Sequence, residues 1–199
     1  MVFNNSDIDG DFGLSRLDIP HTLNLNGLYR LPRLPSPDGG VAEALLGGWS
    51  VSGTAMFRSG FPLTITQRTN NLGRAYGFDH QRPNLTGVDP NVSGSTEDIF
   101  GNYINPDAFE NAEAFTFGDT PHTLGDIRSP KLVNWDVSFE KLTALSAGAN
   151  LSLRFEVINL FNGVNWVGPR SVFGRSDFGR IRNTRGFPRT LQFMVKVMF

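Results

Sequence analysis

The chain has 199 residues, a formal net charge of −1 and no cysteine. Its length fits one domain or part of one, its charge offers no basic footprint for nucleic acid, and the missing thiols exclude a disulfide frame and a thiolate metal centre. With 22 glycines and 12 prolines, the composition favours turns and loops, and no run of about 18 apolar residues is present to form a transmembrane helix.

Residues 1–16 are polar and glycine-rich, and are expected to be a loop preceding the first strand. MVFNNSDIDGDFG lacks the basic start and apolar run of a signal peptide, so export would need a signal outside this stretch. Asp7, Asp9 and Asp11 alternate as in a calcium loop. Such a loop needs Gly at its sixth position and a bidentate Glu at its twelfth, where this chain has Phe12 and Asp18. A solvated acidic loop is therefore expected, with neither metal nor cofactor.

The first strand is predicted over 17–31. Leu17, Ile19, Leu23, Leu25, Tyr29 and Leu31 share one face, while Thr22, Asn24, Asn26 and Arg30 share the other. LPRLPSPDGG is a proline-rich turn, and VAEALLGG is expected to make a short helical turn ended by its glycines. A second strand is predicted over 49–66. Trp49, Val51, Ala55, Phe57, Phe61, Leu63 and Ile65 keep phase on one face, and Ser50, Ser52, Thr54, Arg58 and Thr64 on the other. Such a strand would far exceed the usual 5–6 residues, as one that crosses a membrane and continues beyond it would; the alternative is a bend marked by Gly60 and Pro62.

Residues 68–132 hold no long periodic stretch and are predicted to be a long loop, with His80 and His122 as surface histidines. A third strand over 133–143 puts Val133, Trp135, Val137 and Phe139 opposite Asn134, Asp136, Ser138 and Glu140. After a short turn at 144–148, a fourth strand over 150–162 sets Leu151, Leu153, Phe155, Val157 and Phe161 against Ser152, Arg154 and Glu156. Residues 163–188 form a second long, arginine-rich loop. The fifth strand, 189–199, alternates Leu191, Phe193, Val195, Val197 and Phe199 with Gln192, Met194 and Lys196.

The expected fold is therefore all-β: an antiparallel up-and-down sheet of about five strands over 17–199, open in isolation and part of a transmembrane β-barrel. Long and short connections alternate, as they do when hairpins turn on opposite sides of a membrane. A mean hydropathy of −0.20 is compatible with this, because lumen-facing residues dilute the apolar ones. Arg58, Asp136, Glu140, Arg154, Glu156 and Lys196 fall on the polar, lumen-facing side. Tyr29, Trp49, Phe57, Trp135, Phe139, Phe155 and Phe161 fall on the lipid-facing side or in its girdles.

LDIPHTLNLNGLYRLP, LLGGWSVSGTAMFRSGFPLTIT, NPDAFENAEAFTFG, NWDVSFEKL, LSLRFEVINLFN and FGRIRNTRGFPRTLQFMVKVMF, in that order, are similar to the C-terminal part of the barrel of TonB-dependent outer-membrane receptors. The chain most resembles the Oar-like subgroup, which carries a carboxypeptidase-regulatory-like domain. The resemblance implies a barrel of about 22 strands with a plugged lumen and energy-coupled uptake of a bulky nutrient across the bacterial outer membrane. It implies outer-membrane lipid, the barrel assembly machinery and, through a part N-terminal to this chain, the TonB complex as partners. Leu191, Phe193, Val195, Val197 and Phe199 would then form the assembly signal. No plug or TonB box is legible in the chain, and neither is the transported substrate.

Two other functions fit parts of the pattern. A soluble β-sandwich carbohydrate-binding module would gather Trp49, Trp135 and Trp166 on one exposed patch. A secreted hydrolase would use Asp136 or Glu156 as acid or base, but carboxylates alternating along strands are usually solvated or paired. No Gly-rich phosphate loop, metal-ligand cluster or nucleophile with a base is present, so no catalytic residue is expected.

Overall fold

A computed structural model describes residues 9, 12–32, 45–73, 81–145 and 148–199. Asp7 and Asp11 of the possible calcium loop, His80 and residues 41–44 of the expected helical turn lie outside the described residues, while Leu45 and Leu46 are helical and Gly47 and Gly48 follow them as a bend. In chain order the strands are β1 (Thr22–Arg30), β2 (Trp49–Arg58), β3 (Pro62–Leu63), β4 (Thr66–Gln67), β5 (Asn84–Leu85), β6 (Phe109–Glu110), β7 (Leu124–Arg128), β8 (Leu132–Ala144), β9 (Asn150–Ile158), β10 (Asn165–Trp166), β11 (Val172–Phe173), β12 (Thr184–Arg185) and β13 (Thr190–Met198). Helix among the described residues is short: the α-turn Thr96–Ile99, the 3-10 turn Pro106–Ala108, and isolated helical residues at Leu45 and Leu46, at 9 and at 148. The chain divides into two compact units.

The first unit comprises 21–58, 132–165 and 186–199. It holds one five-stranded sheet in the order β1-β2-β8-β9-β13, every neighbouring pair antiparallel. The pairing is the expected one, each long strand lying beside its neighbour in sequence. One row runs Tyr29–Val51–Phe139–Phe155–Phe193 across all five strands. Each register couples residues of equal parity, so the odd-numbered residues of every long strand share one face. Glu140 stands opposite Arg154. No second sheet packs on this one within the unit, among the described residues, which is not the arrangement of a sandwich.

Strand ends differ from the sequence expectation for local reasons. β1 begins at Thr22, not at 17, because a turn closed by Asp18 N–H to Ser15 O (2.9 Å) and then Pro20 precede it. β2 stops at Arg58 and does not run to 66. Gly60 lies so close to the Ser129 carbonyl that no side chain fits there. The chain then turns into a separate pairing of β3 with β7. β9 ends at Ile158 and does not reach 162, because Asn159 adopts φ 55° and Asn162 φ 53°. The Asn159 side chain donates to the carbonyls of Gly163 and Phe187 (3.0 Å each) and accepts from Gly163 N–H at 2.9 Å, so an Asx-type turn replaces the ladder.

The second unit comprises 1–20, 59–131 and 166–185. The two stretches expected as unstructured long loops supply most of it, and they have their own core. Ile65, Ile104, Ala108, Phe109, Leu124 and Ile127 are buried together, with Leu63, Leu85, Tyr103, Phe173 and Phe178 packed on them. Short pairings hold it: β3 with β7 and β5 with β6 antiparallel, and β4 with β11 parallel. Two buried amides tie distant segments together. Gln67 donates to Gln81 Oε1 at 2.9 Å and accepts from Ala112 N–H at 2.9 Å, while Gln81 donates to the Thr116 carbonyl at 2.8 Å. Buried polar groups persist only when satisfied in this way.

Candidate functional site

Two features of the five-stranded sheet bear on function: a polar face and an aromatic face. The even-numbered face carries Arg58, Asp136, Glu140, Arg154, Glu156 and Lys196. At its centre Arg154 lies 3.7 Å from Glu140 and 3.3 Å from Glu156, and Ser152 Oγ donates to Glu140 at 2.9 Å. Asp136 accepts from the Asn134 side chain (2.9 Å) and from Asn159 N–H (2.8 Å), so one carboxylate also anchors the turn after β9. Lys196 stands opposite Ser152, and Gln192 opposite Glu156.

The odd-numbered face is continuous and apolar. Phe155 packs between Phe139 (6.2 Å) and Phe193 (4.7 Å), while Trp135 receives Phe57 (5.4 Å) and Phe161 (5.7 Å) edge-on. Phe161 lies beyond the end of β9, yet joins this cluster. On β13 the row stands open, with Leu191, Phe193 and Val195 exposed to 58%, 81% and 69%. A contiguous apolar surface of this kind implies an apolar partner.

Lys141 breaks the rule that strand charges stay on the even face, and the sequence reading left it unassigned. It shares parity with Phe139 and stands opposite Trp49, yet it is only 8% exposed. Its ammonium donates to the carbonyls of Leu45 (3.2 Å) and Gly47 (2.7 Å) and lies 5.4 Å from the centre of the Trp49 ring. The charge is thus satisfied at the strand end by backbone oxygens and an aromatic face.

The tryptophans do not form a sugar platform. Trp49 stands opposite Lys141, and Trp135 opposite Ala55, so the two are six positions apart along the strands, about 20 Å at 3.3–3.4 Å per residue. Trp166, in the other unit, stacks on Phe100 at 6.0 Å. The carboxylates considered for hydrolysis are both engaged, Asp136 with the two Asn groups and Glu156 with Arg154.

In the second unit a carboxylate gathers arginines. Asp177 Oδ1 accepts from Arg175 Nε at 3.3 Å, while Arg170 Nε and Arg182 Nε each stand 3.9 Å from Oδ2. Burial would raise the Asp177 carboxyl, but the Arg175 hydrogen bond and the charges of Arg175 and Arg182 outweigh it and hold the group below the usual carboxylate range. In the same unit Tyr103 donates to the Arg128 carbonyl at 2.9 Å, and burial pushes its hydroxyl upward. Among the described residues no cluster of His, Asp or Glu could hold a metal ion.

The long strands run 9, 10, 13, 9 and 9 residues. A strand tilted across a bilayer needs about 9–11, and strands of soluble domains cluster near 5–6. Strands of this length, antiparallel, with one aromatic face and one charged face, define a section of membrane β-barrel wall. The model of the outer membrane beta barrel domain family matches residues 1–192, and the chain belongs to that family. Its place is the bacterial outer membrane. No curated protein and no solved structure matches it.

Proposed function

We propose that this chain forms part of the barrel wall of a TonB-dependent receptor of the Oar-like kind, which takes up a bulky nutrient by energy-coupled transport and does no covalent chemistry. In this reading the odd-numbered face meets outer-membrane lipid and the even-numbered face meets the lumen. Arg58, Asp136, Glu140, Arg154, Glu156 and Lys196 then stand in water, where the three cations avoid the roughly 2–4 kcal/mol that each would cost at the bilayer midplane and the three carboxylates avoid a smaller cost. Trp49 and Lys141 sit at the rim on the short-turn side. Trp135, Phe57 and Phe161 sit towards the long-loop side.

The observation that carries the proposal is the connection 59–131, which is folded around its own core. A wall section needs only short loops to stand in a membrane. A packed unit between two membrane-length strands is what a receptor would use to engage a large ligand. The row Leu191, Phe193, Val195, Val197 and Phe199 is the surface offered to the barrel assembly machinery, since no strand pairs with the outer edge of β13 among the described residues.

Energy coupling has a direct test. In cells carrying the full-length protein, formaldehyde should crosslink it to TonB, and collapse of the proton gradient should reduce the yield. A barrel that folds in the outer membrane and never crosslinks would contradict coupling and leave a passive pore.

A further inference from the structure

Between residues 170 and 182 the chain concentrates unneutralised positive charge. Arg170, Arg175, Arg180 and Arg182 are all exposed, and Asp177 is the only acidic residue among them. The side chains of Arg170, Arg175 and Arg182 are 60%, 57% and 53% exposed, whereas that of Asp177 is 13% exposed. Each of these three arginines approaches the carboxylate with its Nε, at 3.9, 3.3 and 3.9 Å. Their terminal amino groups make no hydrogen bond among the described residues, although a guanidinium carries five N–H donors.

The scaffold beneath is fixed. Arg170 N–H donates to Arg180 O (3.0 Å) and Gly179 N–H to Arg170 O (2.8 Å), which closes the segment on itself. Tyr103 N–H donates to Gly179 O (2.8 Å) and Ile181 N–H to Phe100 O (2.7 Å), which straps it to the unit. Phe173 and Phe178 pack against each other at 5.5 Å and against Phe109 at 6.0 and 5.7 Å. The backbone that carries the arginines is therefore fixed in folding, before any ligand arrives.

The geometry points to a binding site for a phosphate-bearing anion, built by Arg170, Arg175 and Arg182 around Asp177. Asp177 holds Arg175 by a hydrogen bond and stands 3.9 Å from Arg170 and Arg182, and the net charge left over is positive. A tetrahedral phosphate accepts donors from several directions at once, while a planar carboxylate is satisfied by one fork. This site extends beyond the transport reading and does not depend on energy coupling. A free phosphate ester and a lipid-borne phosphate share its chemistry.

The test uses the full-length protein in detergent, with inorganic pyrophosphate titrated by calorimetry. Saturable binding is expected, weakening as salt rises. The double variant Arg170→Gln/Arg182→Gln should weaken it about tenfold or more, as the loss of charge-assisted hydrogen bonds requires, while Arg189→Gln outside the segment should not. All variants must keep heat-modifiable mobility, which shows that the barrel is folded. Competition by phosphatidic acid in mixed micelles assigns the site to a lipid phosphate, and lack of competition assigns it to a free one. Absence of saturable binding by both phosphates, citrate binding as tight as pyrophosphate binding, or an equal loss in Arg189→Gln overturns the proposal.

Discussion

Phe193→Arg should destabilise the folded, membrane-inserted protein by about 3–5 kcal/mol, while Gln192→Arg, one residue away, should change stability by no more than about 0.5 kcal/mol. Phe193 lies on the odd-numbered face, packs on Phe155 at 4.7 Å and is 81% exposed. Arginine there would lose the ring contact, worth about 0.5–1.5 kcal/mol. It would also place a charge against lipid near mid-strand, at about 2–4 kcal/mol. Gln192 faces the other way and stands opposite Glu156, so an arginine there meets water and a carboxylate, an exposed pairing of small value. Urea titration of the reconstituted full-length protein, followed by heat-modifiable mobility, measures both. Equal losses would mean that the faces are assigned wrongly.

Gly118→Ala should loosen the second unit while leaving the barrel strands in place. A Cβ at Gly118 would overlap the Arg82 carbonyl and crowd that of Pro83. The neighbouring bonds would open with it: Thr120 Oγ1 to Pro83 O (2.6 Å), Thr120 N–H to Pro83 O (3.2 Å) and Leu85 N–H to Asp119 Oδ1 (2.7 Å). Overpacking of this kind costs about 1–3 kcal/mol, and each broken bond adds about 1 kcal/mol. Limited proteolysis should cut the variant within 82–120 at least tenfold faster, about what 1.4 kcal/mol of local stability supplies. Heat-modifiable mobility should be unchanged. Gly101→Ala is the control, since nothing lies within 4 Å of a Cβ there. Wild-type resistance in Gly118→Ala would show that this segment is not packed as described.

The sheet was legible in the sequence because a period of two is a local signal. Val133, Trp135, Val137 and Phe139 announce one face of β8 without reference to any other strand. Glu140 and Arg154 were both legible as polar-face residues on either side of one short turn, and the structure sets them opposite each other. What was not legible depends on contacts between residues far apart in sequence. Periodicity continues through Phe61, Leu63 and Ile65, and Gly60 with Pro62 offered a bend as the alternative; the choice rests on the close approach of Gly60 to Ser129, which ends β2. Leu63 and Ile65 instead feed a core completed by Ile104, Phe109 and Ile127. Lys141 was a matter of parity, since it follows Phe139 by two positions, but the carbonyls that satisfy it come from Leu45 and Gly47. The arginines of 163–188 were visible as composition only. Their convergence on Asp177 needed the folded segment.

The central claim is that the odd-numbered face of the sheet meets lipid and the even-numbered face meets water. This chain contains no cysteine of its own, so single cysteines can be placed one at a time along β9, from Leu151→Cys to Val157→Cys. Spin labels at these positions in the full-length protein, reconstituted into bilayers, report collisions with oxygen, which concentrates in lipid, and with a water-soluble nickel complex. Labels at 151, 153, 155 and 157 should favour oxygen, and those at 152, 154 and 156 nickel, in a strict alternation. Uniform accessibility, or alternation in the opposite phase, would contradict the account.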